Sequence, residues 1–144
     1  FMIRIYEATE PSDLLAEAFA RLLPQLSERM TAPDREAVAR IVASPATRQL
    51  VAAAEDGRIV GLLSVALYDV PSGRKAWIED VVVDAAARGR GIGEALVREA
   101  LALACREGVA RVMLTSNATR RAAHRLYERM GFVRYETDCF RLDL

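Results

Sequence analysis

Apolar and polar residues alternate over Met2, Ile3, Arg4, Ile5, Tyr6 and Glu7, the period of a half-buried strand. A helix-start cluster follows at Thr9-Glu10-Pro11-Ser12-Asp13. Leu14, Leu15, Ala18, Phe19, Leu22, Leu23 and Leu26 then recur at helical spacing and form one core-facing stripe. Pro24, which has no N–H to give, is expected to kink or end that helix. A polar connection from Ser27 to Ala32 leads to a second helix from Pro33 to about Val42, with proline and acid in its first turn. Arg48 to Ala54 reads as a strand, Glu55-Asp56-Gly57-Arg58 as a hairpin turn, and Ile59 to Val70 as a longer strand. Pro71-Ser72-Gly73 turns the chain into a third strand that ends in Ile78-Glu79-Asp80-Val81-Val82-Val83. These three strands are expected to pair antiparallel.

Beyond the glycine-rich stretch Arg88-Gly89-Arg90-Gly91-Ile92-Gly93, a helix carries Ile92, Ala95, Leu96, Ala100 and Leu103 on one broad apolar face. Glu94 and Arg98 stand one turn apart on its polar side, and Gly108 is its expected C-cap. Residues 111–115 read as a strand, so strand, helix and strand make a parallel crossover and the sheet is mixed. A last helix is expected over roughly residues 120–130, stopped by Gly131-Phe132. Phe132 to Leu144 is expected to supply one or two closing strands. The fold class is α+β, with a central mixed, twisted sheet flanked by about four helices.

Composition narrows the function. A chain of 144 residues suits a single domain over residues 2–144, with Phe1 read as an added residue ahead of a natural start at Met2. Lys and Arg together number 20, as do Asp and Glu, and a balanced chain argues against a general nucleic-acid binder. The sequence contains no apolar run of the roughly 18 residues a membrane span needs and no visible signal peptide, so a cytoplasmic location is expected. Cys105 and Cys139 make no metal or redox spacing and are expected to be reduced and partly buried. His124 is the one histidine, which excludes multi-histidine metal sites, and no metal is expected.

Glycines crowded at a helix start leave backbone N–H groups unshielded, and the helix dipole adds positive potential there. Arg88 and Arg90 add full charge, so the stretch reads as a polyphosphate site. It is no Walker loop, because Glu94-Ala95 stands where Lys-Ser/Thr is needed. Nor does it fit a dinucleotide fingerprint: the sixth position counted from Gly89 is Glu94, and neither Asp nor Glu occurs between Gly108 and Tyr127. It does match Arg/Gln-x-x-Gly-x-Gly/Ala, through Arg88, Gly91 and Gly93. A second pattern, N-x(5)-A-x(3)-Y-x(3)-GF, is met by Asn117, Ala123, Tyr127 and Gly131-Phe132. On these two motifs, in order and with the flanking elements in place, the chain resembles the GNAT superfamily of acetyl-CoA-dependent N-acetyltransferases.

The resemblance implies a GNAT acyl-CoA N-acyltransferase fold, acetyl-CoA as cosubstrate, and transfer of an acetyl group to a primary amine by direct attack in a ternary complex. The amine belongs to a small molecule or to a peptide or protein, and a homodimer is left open. The cofactor is expected on Val81, Val82 and Val83, on Arg88, Gly89, Arg90, Gly91, Ile92 and Gly93, and on Asn117, Arg120, His124 and Tyr127. Tyr127 is expected to protonate the departing thiolate; Arg121 and Arg125 are further candidates for the nucleotide phosphates. An amine is protonated at neutral pH and needs a base; Glu79 and Asp80 are the carboxylates inside the strand. Strand alternation sends them to opposite faces, and Glu79 is favoured as base with Asp80 as the alternative. The connection between the first two helices is expected to wall the acceptor site, with Glu28, Arg29 and Met30 as substrate contacts. Ile78 to Asp84 is similar to the same strand in glucosamine-6-phosphate N-acetyltransferases, but that strand serves the cofactor more than the acceptor. The rival class is a non-catalytic acyl-CoA-binding or sensing module, or a subunit of an acetylating complex, and the joint presence of Glu79 and Tyr127 counts against it.

Overall fold

A computed structural model describes residues 2–144; Phe1, read above as an added residue, lies outside the described residues. The elements run β1 (Ile3–Ala8), α1 (Asp13–Leu26), α2 (Arg35–Ala43), β2 (Thr47–Ala54), β3 (Ile59–Val70), β4 (Gly73–Val83), α3 (Ile92–Arg106), β5 (Val112–Leu114) and α4 (Arg121–Arg129), with a 3-10 turn over Ala85–Ala87. The sheet order is β1-β2-β3-β4-β5. Neighbours pair antiparallel from β1 to β4, and the α3 crossover makes β4 and β5 parallel. The expected mixed α+β sheet with four flanking helices is therefore present.

Two cores lie against the two faces of the sheet. On one face Leu50, Leu63, Val65, Ala76 and Ile78 pack with Ile92, Leu96, Val97 and Leu103 of α3 and with Tyr127 of α4. On the other, Val51, Leu62 and Val82 pack with Leu15, Phe19, Leu22 and Leu23 of α1 and with Val38 of α2. Alternation along β2 and β3 sorts these residues between the two cores, so each strand is buried on both sides in its middle.

The structure departs from the expectations at several places. Helix α1 runs two residues past Pro24. The carbonyl that Pro24 cannot serve belongs to exposed Ala20, where water can satisfy it, and Leu22 and Leu23 are buried around the proline. Helix α2 starts after Pro33 because Asp34 is its N-cap, the side chain accepting from the Ala37 N–H at 2.8 Å. The closing strands do not form: no strand follows β5, and Val133, Tyr135, Phe140 and Leu142 are exposed. A strand needs a ladder and a core to pack on. The adjoining β5 pairs over three residues only, and the large apolar side chains of the segment stay exposed. Cys105 and Cys139 are both exposed rather than partly buried, because α3 turns Cys105 away from its apolar face and Cys139 lies in the uncovered segment.

Candidate functional site: two cavities meeting on one strand

The strand β4 is bent by a bulge. Ser64 of β3 faces Glu79, whereas Leu62, two residues earlier, faces Val82, so β4 carries one extra residue. That residue is Asp80, held at φ +48°, a conformation uncommon outside glycine. The expected opposition of Glu79 and Asp80 is thereby cancelled. Glu79 sits directly across from Ser64 and shares its face, and Asp80 lines the same cavity as Ser64. Beyond the bulge the alternation resumes, with Val82 packed on α1 and with Val81 and Val83 on the α3 side.

A cavity of about 730 Å³ opens on one side of the bulge. Val81, Val82 and Val83 form one wall, the loop residues Arg88, Gly89, Gly91, Ile92 and Gly93 its end, and α4 the opposite wall through Arg120, Arg121, Arg125 and Tyr127. Gly91 is the N-cap of α3 at φ +76°, where any side chain would be strained, and no atom stands within 4 Å of where its Cβ would lie. The backbone there faces open space, ready for close approach of an anion. Gly93 serves packing instead, since a Cβ would come 3.2 Å from Leu126 of α4. Arg88, Arg120, Arg121, Arg125 and Arg129 set five guanidiniums on the cavity against one carboxylate, Glu94, which pairs with Arg98. A pantetheine diphosphate fits this donor set: a cationic, glycine-lined end for phosphates and a strand whose backbone can pair with an extended arm.

Not every expected residue reaches this cavity. Arg90, Asn117 and His124 do not line it. The Asn117 carboxamide oxygen accepts from the Thr119 N–H and hydroxyl at 3.0 and 2.9 Å, and the His124 ring sits 3.0 Å from the Asn117 carbonyl. Both residues shape the turn into α4. Two residues not singled out from the sequence hold the loop in place. Buried Asp84 takes the Arg21 guanidinium at 2.7 Å and the Ala86 N–H at 3.1 Å, and Gln25 accepts from the Ala85 N–H at 2.8 Å. Burial alone would raise the Asp84 carboxyl; the Ala86 N–H, the Gln25 amide and the Arg21 and Arg58 charges outweigh it and hold the group below its ordinary value. The signal was the spacing of Arg21 and Gln25, one turn apart on α1, with an acid directly after β4.

Tyr127 is 7% exposed and lines the large cavity. Its place in the N-x(5)-A-x(3)-Y-x(3)-GF pattern has a backbone cause. Gly131, at φ +98°, ends α4 by donating to the Glu128 carbonyl, and the Phe132 N–H donates to the Tyr127 carbonyl at 2.9 Å. This is a Schellman cap with its usual apolar contact, the Tyr127 and Phe132 rings meeting edge-on at 5.8 Å. Burial pushes the Tyr127 phenol up, against a smaller opposing effect of Arg120, so it stays protonated at neutral pH.

The second cavity, of about 290 Å³, lies on the other side of the bulge between α1, α2 and the sheet. Gln49, Ser64 and Asp80 line it from the sheet, and Met30 from the helix connection. Of the three residues expected there, Glu28 and Arg29 lie exposed in a turn and do not reach it. Glu79 does not line the cavity wall, although on β4 it is paired directly across from Ser64 of β3. Loss of water around it, and then the Asp80 charge, push the Glu79 carboxyl above its ordinary value. Gln49, 3% exposed, was missed by the sequence reading; a polar residue inside the apolar run of β2 was the available signal.

Known proteins resemble this chain in sequence and fold. Over 141 residues, 91% of this chain and 81% of the other, it is 36% identical to a probable glucosamine 6-phosphate N-acetyltransferase of Oryza sativa subsp. japonica. It is 33% identical over 91 residues to a mycothiol acetyltransferase of Renibacterium salmoninarum, covering 62% of this chain but only 27% of that longer protein. The crystal structure of a Trypanosoma brucei acetyltransferase superposes with a TM-score of 0.80 at 29% identity, over 99% of this chain and all of that one. The profile of the acetyltransferase (GNAT) family matches residues 8–132, from the end of β1 through the cap of α4, and the chain belongs to that family.

Proposed function

We propose that the protein transfers an acetyl group from acetyl-CoA to a primary amine, by direct attack in a ternary complex. One observation carries this reading. Asp80 lines the small cavity and Val81, the next residue, lines the large one, so the two cavities abut at the β4 bulge. An amine in the small cavity would meet a thioester laid along Val81 to Val83 with only that bulge between them.

Acetyl-CoA supplies the activated carbonyl. The protein's residues have three tasks. Backbone groups of Val81 to Val83 hold the arm, and an N–H there stabilises the carbonyl oxygen as charge develops on it. Glu79 or Asp80 takes a proton from the ammonium, directly or through water, and frees the lone pair. The N–C bond forms as the C–S bond breaks, the sulfur leaves as thiolate and takes a proton from Tyr127, the nitrogen's second proton passes through water to restore the Tyr127 phenol, and the carboxylate releases its proton to solvent. The balance is one ammonium and one thioester to one amide, one thiol and one proton. The raised Glu79 carboxyl is the better matched base, while Asp80 has the direct place on the cavity.

Release of free CoA across an amine panel tests the reading. Glu79→Gln is expected to lower turnover by roughly 10²-fold or more, with CoA binding retained and the loss shrinking as pH rises and the amine deprotonates by itself. If Asp80→Asn behaves this way and Glu79→Gln does not, the base is Asp80. Full activity in both variants would remove the carboxylates from the reaction.

A further inference from the structure

We propose that the acceptor is a small primary amine with an uncharged, largely apolar body, and that phosphorylated or carboxylated amines are poor substrates. This inference rests on the transferase reading above and adds the substrate class.

The wall of the small cavity carries the argument. Phe19, Leu23, Met30, Pro33, Ile41 and Leu62 supply most of its surface. Among the described residues no Arg or Lys lines it. An anionic group placed there would lose water without gaining a cation, and would stand near the Asp80 and Glu79 carboxylates.

The polar side chains on the sheet side are committed in a particular sense. The Ser64 hydroxyl donates its single hydrogen to the Gln49 carboxamide oxygen at 2.7 Å. The Gln49 amide donates to the Leu50 and Leu63 carbonyls at 3.2 and 3.3 Å. Ser64 is left with acceptor capacity, and Asp80 is an acceptor when ionised. Thr31 is the one lining side chain other than Ser64 with a hydroxyl. The sheet-side wall therefore asks for a donor, an amine or ammonium, at the bulge end, while the helix side asks for apolar contact. At about 290 Å³ the cavity is at the small end of ligand sites, roughly 300–1,000 Å³, and suits a small molecule better than a folded protein's surface.

The test separates binding from turnover. Saturation-transfer NMR on the CoA-loaded protein reads binding of phenethylamine, hexylamine, glucosamine, glucosamine 6-phosphate and aspartate, and CoA release reads turnover with the same five. Phenethylamine and hexylamine are expected to bind at least tenfold tighter than glucosamine 6-phosphate or aspartate. Met30→Arg is expected to weaken the two apolar amines at least tenfold with CoA affinity unchanged, which also reports that the variant is folded. Apolar amines that bind without turnover uphold the cavity's preference and sink the transferase reading. Turnover that favours glucosamine 6-phosphate or aspartate keeps the transferase and overturns the inference. Absence of binding by either apolar amine, or no change in Met30→Arg, overturns it as well.

Discussion

At the scale of single residues, Tyr127 combines a packing contact with the catalytic role proposed for it. Its ring closes the Schellman cap of α4 against Phe132, and the residue lines the cavity that ends at the glycine-rich loop. Tyr127→Phe keeps the ring and its edge contact and removes only the hydroxyl. Turnover is expected to fall roughly tenfold to 10²-fold, because a thiolate of pKa about 8.5 is already a fair leaving group. CoA affinity and thermal midpoint should change little. Steady-state rates from pH 6 to 9 check this; unchanged turnover across that range would leave Tyr127 a packing residue. The candidate carboxylates were legible because charged residues stand out inside an apolar strand. Their common face was not, because a period of two assumes an unbroken ladder and the bulge at Asp80 adds a residue. Asn117 fits the second pattern and His124 was expected beside the cofactor, and in the structure both tie the turn before α4.

At the scale of elements, the attachment of the 3-10 turn to α1 decides where the phosphate loop sits. Asp84, 7% exposed, links the end of β4 to Arg21, whose guanidinium also donates to the Ile59 carbonyl at 2.7 Å. Asp84→Asn removes the charge and keeps the shape. Loss of one partner from such a part-buried pair is expected to cost roughly 1–3 kcal/mol at pH 7. The sign follows from the lowered carboxyl: its contribution is present above the unfolded-state value near about 3.9, and is lost as pH falls through the lower folded-state value. Urea melts of both proteins should thus converge below about pH 4, while a constant gap down to pH 2 would mean the effect is not ionic. Element types were legible from period and caps. The extent of α1 was not, since Pro24 can be tolerated where the opposed carbonyl is exposed. The closing strands were expected from Phe132 to Leu144, and a strand also needs a partner edge and a surface to cover.

At the scale of the molecule, the two cavities stand on either side of β4, and their walls come next to each other at Asp80 and Val81. One is cationic and glycine-lined, the other is largely apolar with the Asp80 carboxylate in its wall, and neither Cys105 nor Cys139 lines either of them. Among the described residues no helix is long and apolar enough to cross a membrane. The large cavity was legible from two motifs with fixed spacing. The small one was legible only in part, through Met30 of the helix connection and Asp80 of β4, because the rest of its wall comes from α1, α2 and two further strands that no local pattern links. Two adjacent cavities predict that both substrates are bound together before transfer. Initial rates with acetyl-CoA and the best amine varied independently test this most directly. The account predicts double-reciprocal lines that intersect. Parallel lines, with an acetylated form of the protein detected by mass spectrometry when amine is left out, would contradict it.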